Sequence, residues 1–192
     1  MKLTNNKKYK IKDLFFKSFN NVSNFKREKY FYNFFQKQNV PITKLISEKK
    51  LTLIFEDIKI QKVKNKKLYI DKFLKFLMII NNKKFKNKYK VIAKENFTSI
   101  KNLNNEIKKR LSALKKIKNN NLQNFLKNLE KKLNKIKLNH ISNPKKKIII
   151  SPSDVGIHNA GAHKNKIIFF DFEYAGLDHP LKLICDLYYQ PE

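Results

Sequence analysis

Apolar and basic side chains alternate near the start of the chain. Tyr9 and Ile11 stand between Lys8, Lys10 and Lys12 ahead of "LFF", which is the period of a half-buried strand. From Asn21 to Gln38, "NVSNFKREKYFYNFFQKQ", the pattern becomes helical, with Phe25, Tyr30 and Phe34 among a broad aromatic face and Pro41 beyond its end. "ITKLISEKKLTLIFEDI" then reads as two short strands about a turn at Glu48-Lys49-Lys50. The opening therefore predicts strand, helix, strand, strand.

Helical spacing dominates from Leu68 onward. "LYIDKFLKFLMIINN" is followed by a segment over Ser99–Lys118, capped by Thr98 or Ser99, and another over Leu122–Leu138. In the last, Leu122, Phe125, Leu126, Leu129, Leu133 and Ile136 recur at intervals of three and four, the stripe of a helix facing a core. Pro144 closes this region. "KKKIIIS" and "KIIFFDFEY" return to strand patterning, with a tight turn in "AHKNK", and "PLKLICDLYY" starts a final helix at Pro180. These elements define an α+β chain.

Charge changes this picture less than its size suggests. The formal net charge is +29, but only Arg27 and Arg110 are arginines, and the 42 lysines with 25 asparagines follow the bias of AT-rich coding. Base and phosphate readers rely on the bidentate guanidinium, which lysine does not reproduce. Nucleic acid is thus a possible partner, not the favoured one. Its distribution tells more: residues 151–192 hold six of the fifteen acids against three lysines, a net −3 against +32 for residues 1–150. A lone cysteine, Cys185, allows no internal disulfide and suits a reducing compartment, and no apolar run is long enough to span a bilayer. These features lead us to expect a soluble cytoplasmic protein.

All three glycines, Gly156, Gly161 and Gly176, fall where the acids gather, in and after "SPSDVGIHNA". Here an irregular loop bearing Asp154 and Asn159 follows a strand at Ile148–Ile150, and a hairpin leads to a second strand ending in Asp171-Phe172-Glu173. That geometry brings Asp154, Asn159 and Asp171 to one sheet edge. An amide and carboxylates suit a hard cation such as Mg²⁺ that shares its remaining positions with phosphates. A carboxylate outside the metal shell can orient or accept a hydroxyl proton. Gly156 is expected to let the loop turn tightly. Two other motif readings fail: "GIHNAG" lacks the Lys-Ser/Thr of a phosphate loop, and His158, His163, His179 and Cys185 have no structural-zinc spacing.

"SPSDVGIHN", "IIFFDFEYAG" and "LICDL" together resemble the catalytic core of the aminoglycoside phosphotransferase and choline kinase family, which has the protein-kinase-like fold. The resemblance implies a partial N-lobe of strands plus one helix over residues 1–58. It implies a mostly helical C-lobe with a catalytic β-hairpin over residues 59–192. It also implies Asp154 as the base or hydroxyl-orienting residue, Asn159 and Asp171 as Mg²⁺ ligands and Asp186 as a brace for the catalytic loop. Glu173 is left open between assisting the metal and a solvated neighbour.

Upstream, "KYKIKDLFF" resembles the strand with the phosphate-binding lysine, Lys12 or alternatively Lys10, and Glu28 the helix glutamate that pairs with it. "LTLIFEDI" resembles the strand entering the hinge, where backbone groups near Glu56–Ile58 would hold adenine. The chain departs from the family in having Pro152 where a histidine is common and no glycine in residues 1–155, and it looks shortened at both ends. The expected activity is transfer of the ATP γ-phosphoryl group to the hydroxyl of a small molecule. The alternative is an inactive kinase-like basic protein that binds nucleic acid or other polyanions.

Overall fold

The computed structural model describes residues 7–82, 91–135 and 148–189. Two strands, not one, precede the first helix. β1 (Lys7–Ile11) and β2 (Leu14–Ser18) form an antiparallel hairpin in which Ile11 faces Leu14. The alternation of "KYKIKDLFF" hid this break because the two-residue turn contains no glycine. Lys12 instead takes the left-handed conformation itself, at φ 53°. β1 is an exposed edge strand along its whole length, not the half-buried one expected.

α1 (Val22–Gln36) starts at Asn21, whose side chain accepts from the amides of Ser23 and Asn24. Its buried face is Asn24, Phe25, Glu28, Phe31, Tyr32 and Phe35, so Tyr30 and Phe34 lie to the side of it. β3 (Leu45–Lys49) and β4 (Thr52–Glu56) complete a four-stranded sheet of order β1-β2-β4-β3. Beyond β5 (Gln61–Lys62) come α2 (Lys66–Ile80), α3 (Ile100–Leu114) and α4 (Asn120–Lys135), and Ser99 is the cap of α3.

The last segment weaves two small sheets. β6 (Ile149–Ser151) pairs with β9 (Gly176–Asp178), while β7 (Ala160–His163) and β8 (Lys166–Phe169) join β5. The β7–β8 turn is Lys164-Asn165, with φ of 45° and 62°, the handedness that matches the twist of a two-residue hairpin. α5 (Pro180–Tyr188) follows.

One aromatic core joins the halves. Phe172 lies 5.1 Å from Tyr32 and 4.9 Å from Phe35 by ring centroids, and Phe76 meets Phe35 at 5.4 Å and Phe169 at 4.8 Å. The Phe-rich helix is therefore core. α4 behaves differently from its pattern: of the stripe, only Leu126 is buried and Phe125 is 59% exposed, while Ile136 falls outside the described residues. The helix is fastened instead to the end of α3, where Gln123 donates to the carbonyls of Lys115 and Ile117. Among the described residues, no helix is long and apolar enough to cross a membrane.

Candidate active site

Phe15 and Lys17 on β2 and Phe19 just beyond its end stand at alternate positions, and Lys17 is 3% exposed among them. A buried ammonium needs counter-charge. Glu28, on the inner face of α1 one turn before Phe31 and Tyr32, accepts from Lys17 Nζ at 2.5 Å, and Asp171 Oδ1 accepts from it at 2.8 Å. The lysine that pairs with Glu28 is therefore Lys17. Lys12 is exposed in the β1–β2 turn, and Lys10 donates to Asp57 at 2.9 Å, so the pairing expected for either of them is corrected.

Burial alone would lower the pKa of Lys17, but the charges and hydrogen bonds of Glu28 and Asp171 outweigh it and raise it. Burial pushes Glu28 up to about 8, against the pull of Lys17. Asp171 is also penalised by burial, yet Lys17 and then Lys8, at 3.3 Å, hold its carboxyl below the usual range.

Asp171 sits just past β8 in the left-handed conformation, φ 70°. Such a backbone outside glycine costs roughly 1–3 kcal/mol and persists where surrounding contacts over-determine it. Carboxylate oxygens of Glu28, Asp171 and Glu173 all lie within 4.8 Å of one another, an oxygen-only donor set suited to a hard cation. Glu173 is buried, 4.0 Å from Lys17 Nζ, so it is not a solvated neighbour. Asn159 closes a short 3₁₀ turn at Ile157–Asn159, and its carbonyl accepts from Phe170 N at 3.0 Å. That bond sets Asn159 beside the residue that precedes Asp171. Its side-chain amide donates to the Asp154 carbonyl at 3.3 Å.

The loop carrying Asp154 is held by α2. Asn81 caps that helix and bonds β6 on both sides, donating to the Ile150 carbonyl at 2.9 Å and accepting from the Ile150 amide at 2.7 Å. Tyr69 donates to the Val155 carbonyl at 2.5 Å. The Asp154 carboxylate is partly open, with His158 Nε2 at 3.5 Å. Gly156 has φ −64°, which any residue adopts, so the tight turn expected of it is absent; Ser153 at φ 70° supplies the left-handed step. The glycines that matter sterically are Gly161, where a Cβ would stand 2.8 Å from Ile60 Cβ, and Gly176, where it would run into the backbone of Ala93.

Asp186 does not brace this loop through any described contact; it is bonded to Lys182 one turn away on α5. The buried carboxylate of this region is Asp178, which accepts from the amides of Phe97 at 2.6 Å and His179 at 2.7 Å, and burial raises its pKa. Arg27 adds a further tie the sequence did not reveal, donating to the carbonyls of Ile92 and Ala175 from the turn of α1 that holds Glu28.

A cleft of about 220 Å³ opens over this cluster. Its charged end has Lys8, Lys17, Glu28 and Asp171; its apolar walls include Phe15, Phe55, Ile58 and Ile60, and Glu56 and Asp57 also line it. The Glu56 amide is used by Lys44 O and that of Asp57 by Asp13 O. Phe170 lines both this cleft and a small hollow beside Asp154 and Asn159.

No protein-family model matches the chain, and no curated protein does. Solved structures do. One is APH(2")-IIa, an aminoglycoside phosphotransferase in a ternary complex with streptomycin and ATP, with a TM-score of 0.65 at 16% identity over 97% of this chain and 71% of that one. Another is the amicoumacin kinase hAmiN in complex with AMP-PNP, Ca²⁺ and Ami, with a TM-score of 0.58 at 12% identity over 95% of this chain. The chain spans 59% of the length of the latter. With its antiparallel sheet, five described helices and β-hairpin beneath a cleft, the chain has the α+β fold of the aminoglycoside phosphotransferase-like kinases.

Proposed function

We propose that the chain is an ATP-dependent phosphotransferase that moves the γ-phosphoryl group to a hydroxyl of a small molecule in the cytoplasm. The observation that carries this reading is the buried Lys17–Glu28 pair meeting Asp171 at the floor of a half-apolar cleft. In this reading Glu28 orients Lys17, whose ammonium neutralises nucleotide phosphates. Phe15, Phe55, Ile58 and Ile60 bracket the base, and backbone groups near Glu56–Ile58 read its edge. Asp171 and Asn159 would hold the divalent cation, Mg²⁺ by preference, with Glu173 close enough to join or orient them. Bound there, the cation would supply positive charge against the nucleotide phosphates. Asp154 aligns the acceptor hydroxyl and takes up its proton, and His158 keeps the carboxylate in place. The strongly basic body leans the acceptor toward a neutral or anionic molecule over a polycationic one.

Nucleotide binding and turnover separate these roles. Fluorescent ATP should bind in the presence of Mg²⁺ and be lost in Lys17→Met. Asp154→Asn should retain that binding while turnover on a panel of alcohols falls at least about 100-fold, the scale of a lost proton acceptor. Full turnover in Asp154→Asn would remove the catalytic assignment, and a wild-type chain without nucleotide affinity would remove the reading as a whole.

A further inference from the structure

We infer that Lys8, on the exposed edge strand, is a phosphate-binding side chain of this cleft, parked on Asp171 until a cation and nucleotide arrive. The assignment rests on the kinase reading above and adds a residue to it. Lys8 and Lys17 are direct cross-strand partners, and with the strand period of two both face the cleft, while Tyr9 turns away and stacks on Phe16 at 4.8 Å. Like charges directly opposite one another on an antiparallel pair repel. They are tolerated here because the two oxygens of Asp171 accept one from each, at 2.8 Å from Lys17 and 3.3 Å from Lys8.

The two lysines are not equivalent. Lys17 is buried and held by Glu28 as well, whereas the Lys8 side chain is 49% exposed and pairs with Asp171. A cation taken up by Asp171 displaces the weaker, freer partner first, and the released ammonium then lies over the charged end of the cleft where phosphates would sit. The backbone cannot do this work at the opposite end. The Lys12-Asp13 turn is pinned toward the hinge by Asp57 N donating to Asp13 O at 2.8 Å and by Lys10 on Asp57 at 2.9 Å. A side-chain cation therefore covers phosphate in a strand pair built without glycine.

The test is calorimetric binding of ATP, ADP and AMP with Mg²⁺ to the full chain, using Lys8→Met, Lys8→Arg and, as a charge control on the opposite face of the same strand, Lys7→Met. Lys8→Met should weaken ATP and ADP about five- to ten-fold and AMP less than about two-fold, Lys8→Arg should restore most of the loss, and Lys7→Met should bind as wild type. Mn²⁺ alone, followed by electron paramagnetic resonance, should bind Lys8→Met about two- to three-fold more tightly, because a competitor for Asp171 is gone. Wild-type ATP affinity in Lys8→Met, or an equal loss on all three nucleotides, overturns the assignment. If Lys17→Met still abolishes ATP binding in that case, the kinase reading survives it. If the wild-type chain binds none of the three, both fall.

Discussion

The Lys17–Glu28–Asp171 cluster makes a quantitative demand on folding, tested by Lys17→Met, Glu28→Met and the double variant. Lys17 and Glu28 are 3% and 1% exposed, so neither is rescued by water when its partner is removed. Breaking a buried pair from one side costs about 3–5 kcal/mol, because an uncompensated charge stays behind. For Lys17→Met, three carboxylates (Glu28, Asp171 and Glu173) lose their shared cation, and protonation of Glu28 softens the cost at neutral pH. The surroundings are otherwise apolar: the ammonium lies 4.9 Å from the Phe19 ring centroid. Replacing both partners by apolar groups of similar volume is often close to neutral, and Asp171 keeps Lys8. Urea melts at pH 8.5 should therefore show Lys17→Met about 3–5 kcal/mol below wild type and the double variant recovering at least half of that, a coupling of at least about 2 kcal/mol once the Glu28→Met loss is added. Additivity within about 0.5 kcal/mol would refute the claim that the pair acts as one unit.

Three further outcomes are expected. Burial holds Glu28 near 8 against an ordinary 4.5, so between those values the folded chain keeps a proton that the unfolded chain has lost. Its contribution to stability is full below pH 4.5 and declines as pH rises through 8, by up to about 1.4 kcal/mol per pH unit. The stability difference between wild type and Glu28→Gln, measured by thermal melts from pH 5 to 9, should carry that slope, and a flat difference would contradict it. Gly176→Ala should destabilise more than Gly161→Ala, because the new methyl meets the immovable Ala93 backbone rather than a side chain; a loss above about 3 kcal/mol against about 1–3 is expected in urea, and the reverse order would undo the packing argument. Asn81→Ala should cost about 2 kcal/mol and accelerate amide exchange at Ile150, since both polar groups of that residue lose their partner; unchanged exchange would show that the Asp154 loop is held by something else.

The candidate site was legible because it is local: Asp154, Asn159 and Asp171 fall within eighteen residues, on a loop and hairpin whose strand patterning shows in the sequence. Lys17 was not, since among 42 lysines the one that matters differs by burial, and burial is decided by α1 and the Asp171 turn closing over it. A usable signal was nevertheless present: in Phe15-Phe16-Lys17-Ser18-Phe19 the lysine takes an alternating position between two phenylalanines, where an unpaired charge would be intolerable. The same reasoning separates Asp178 from Asp186. Both stand near α5, but Asp178 ends a strand and can turn its carboxylate onto the Phe97 amide, whereas Asp186 lies on a helix face with Lys182 one turn behind it. For α4, periodicity marked an apolar face without saying what would cover it, so the stripe predicted a core that only Leu126 enters. What a residue does alone or with near neighbours can thus be read from its surroundings in sequence. What it does by being enclosed must be read as a conflict, a charge or glycine placed where local chemistry gives no reason for it, and Lys17 between phenylalanines is such a conflict.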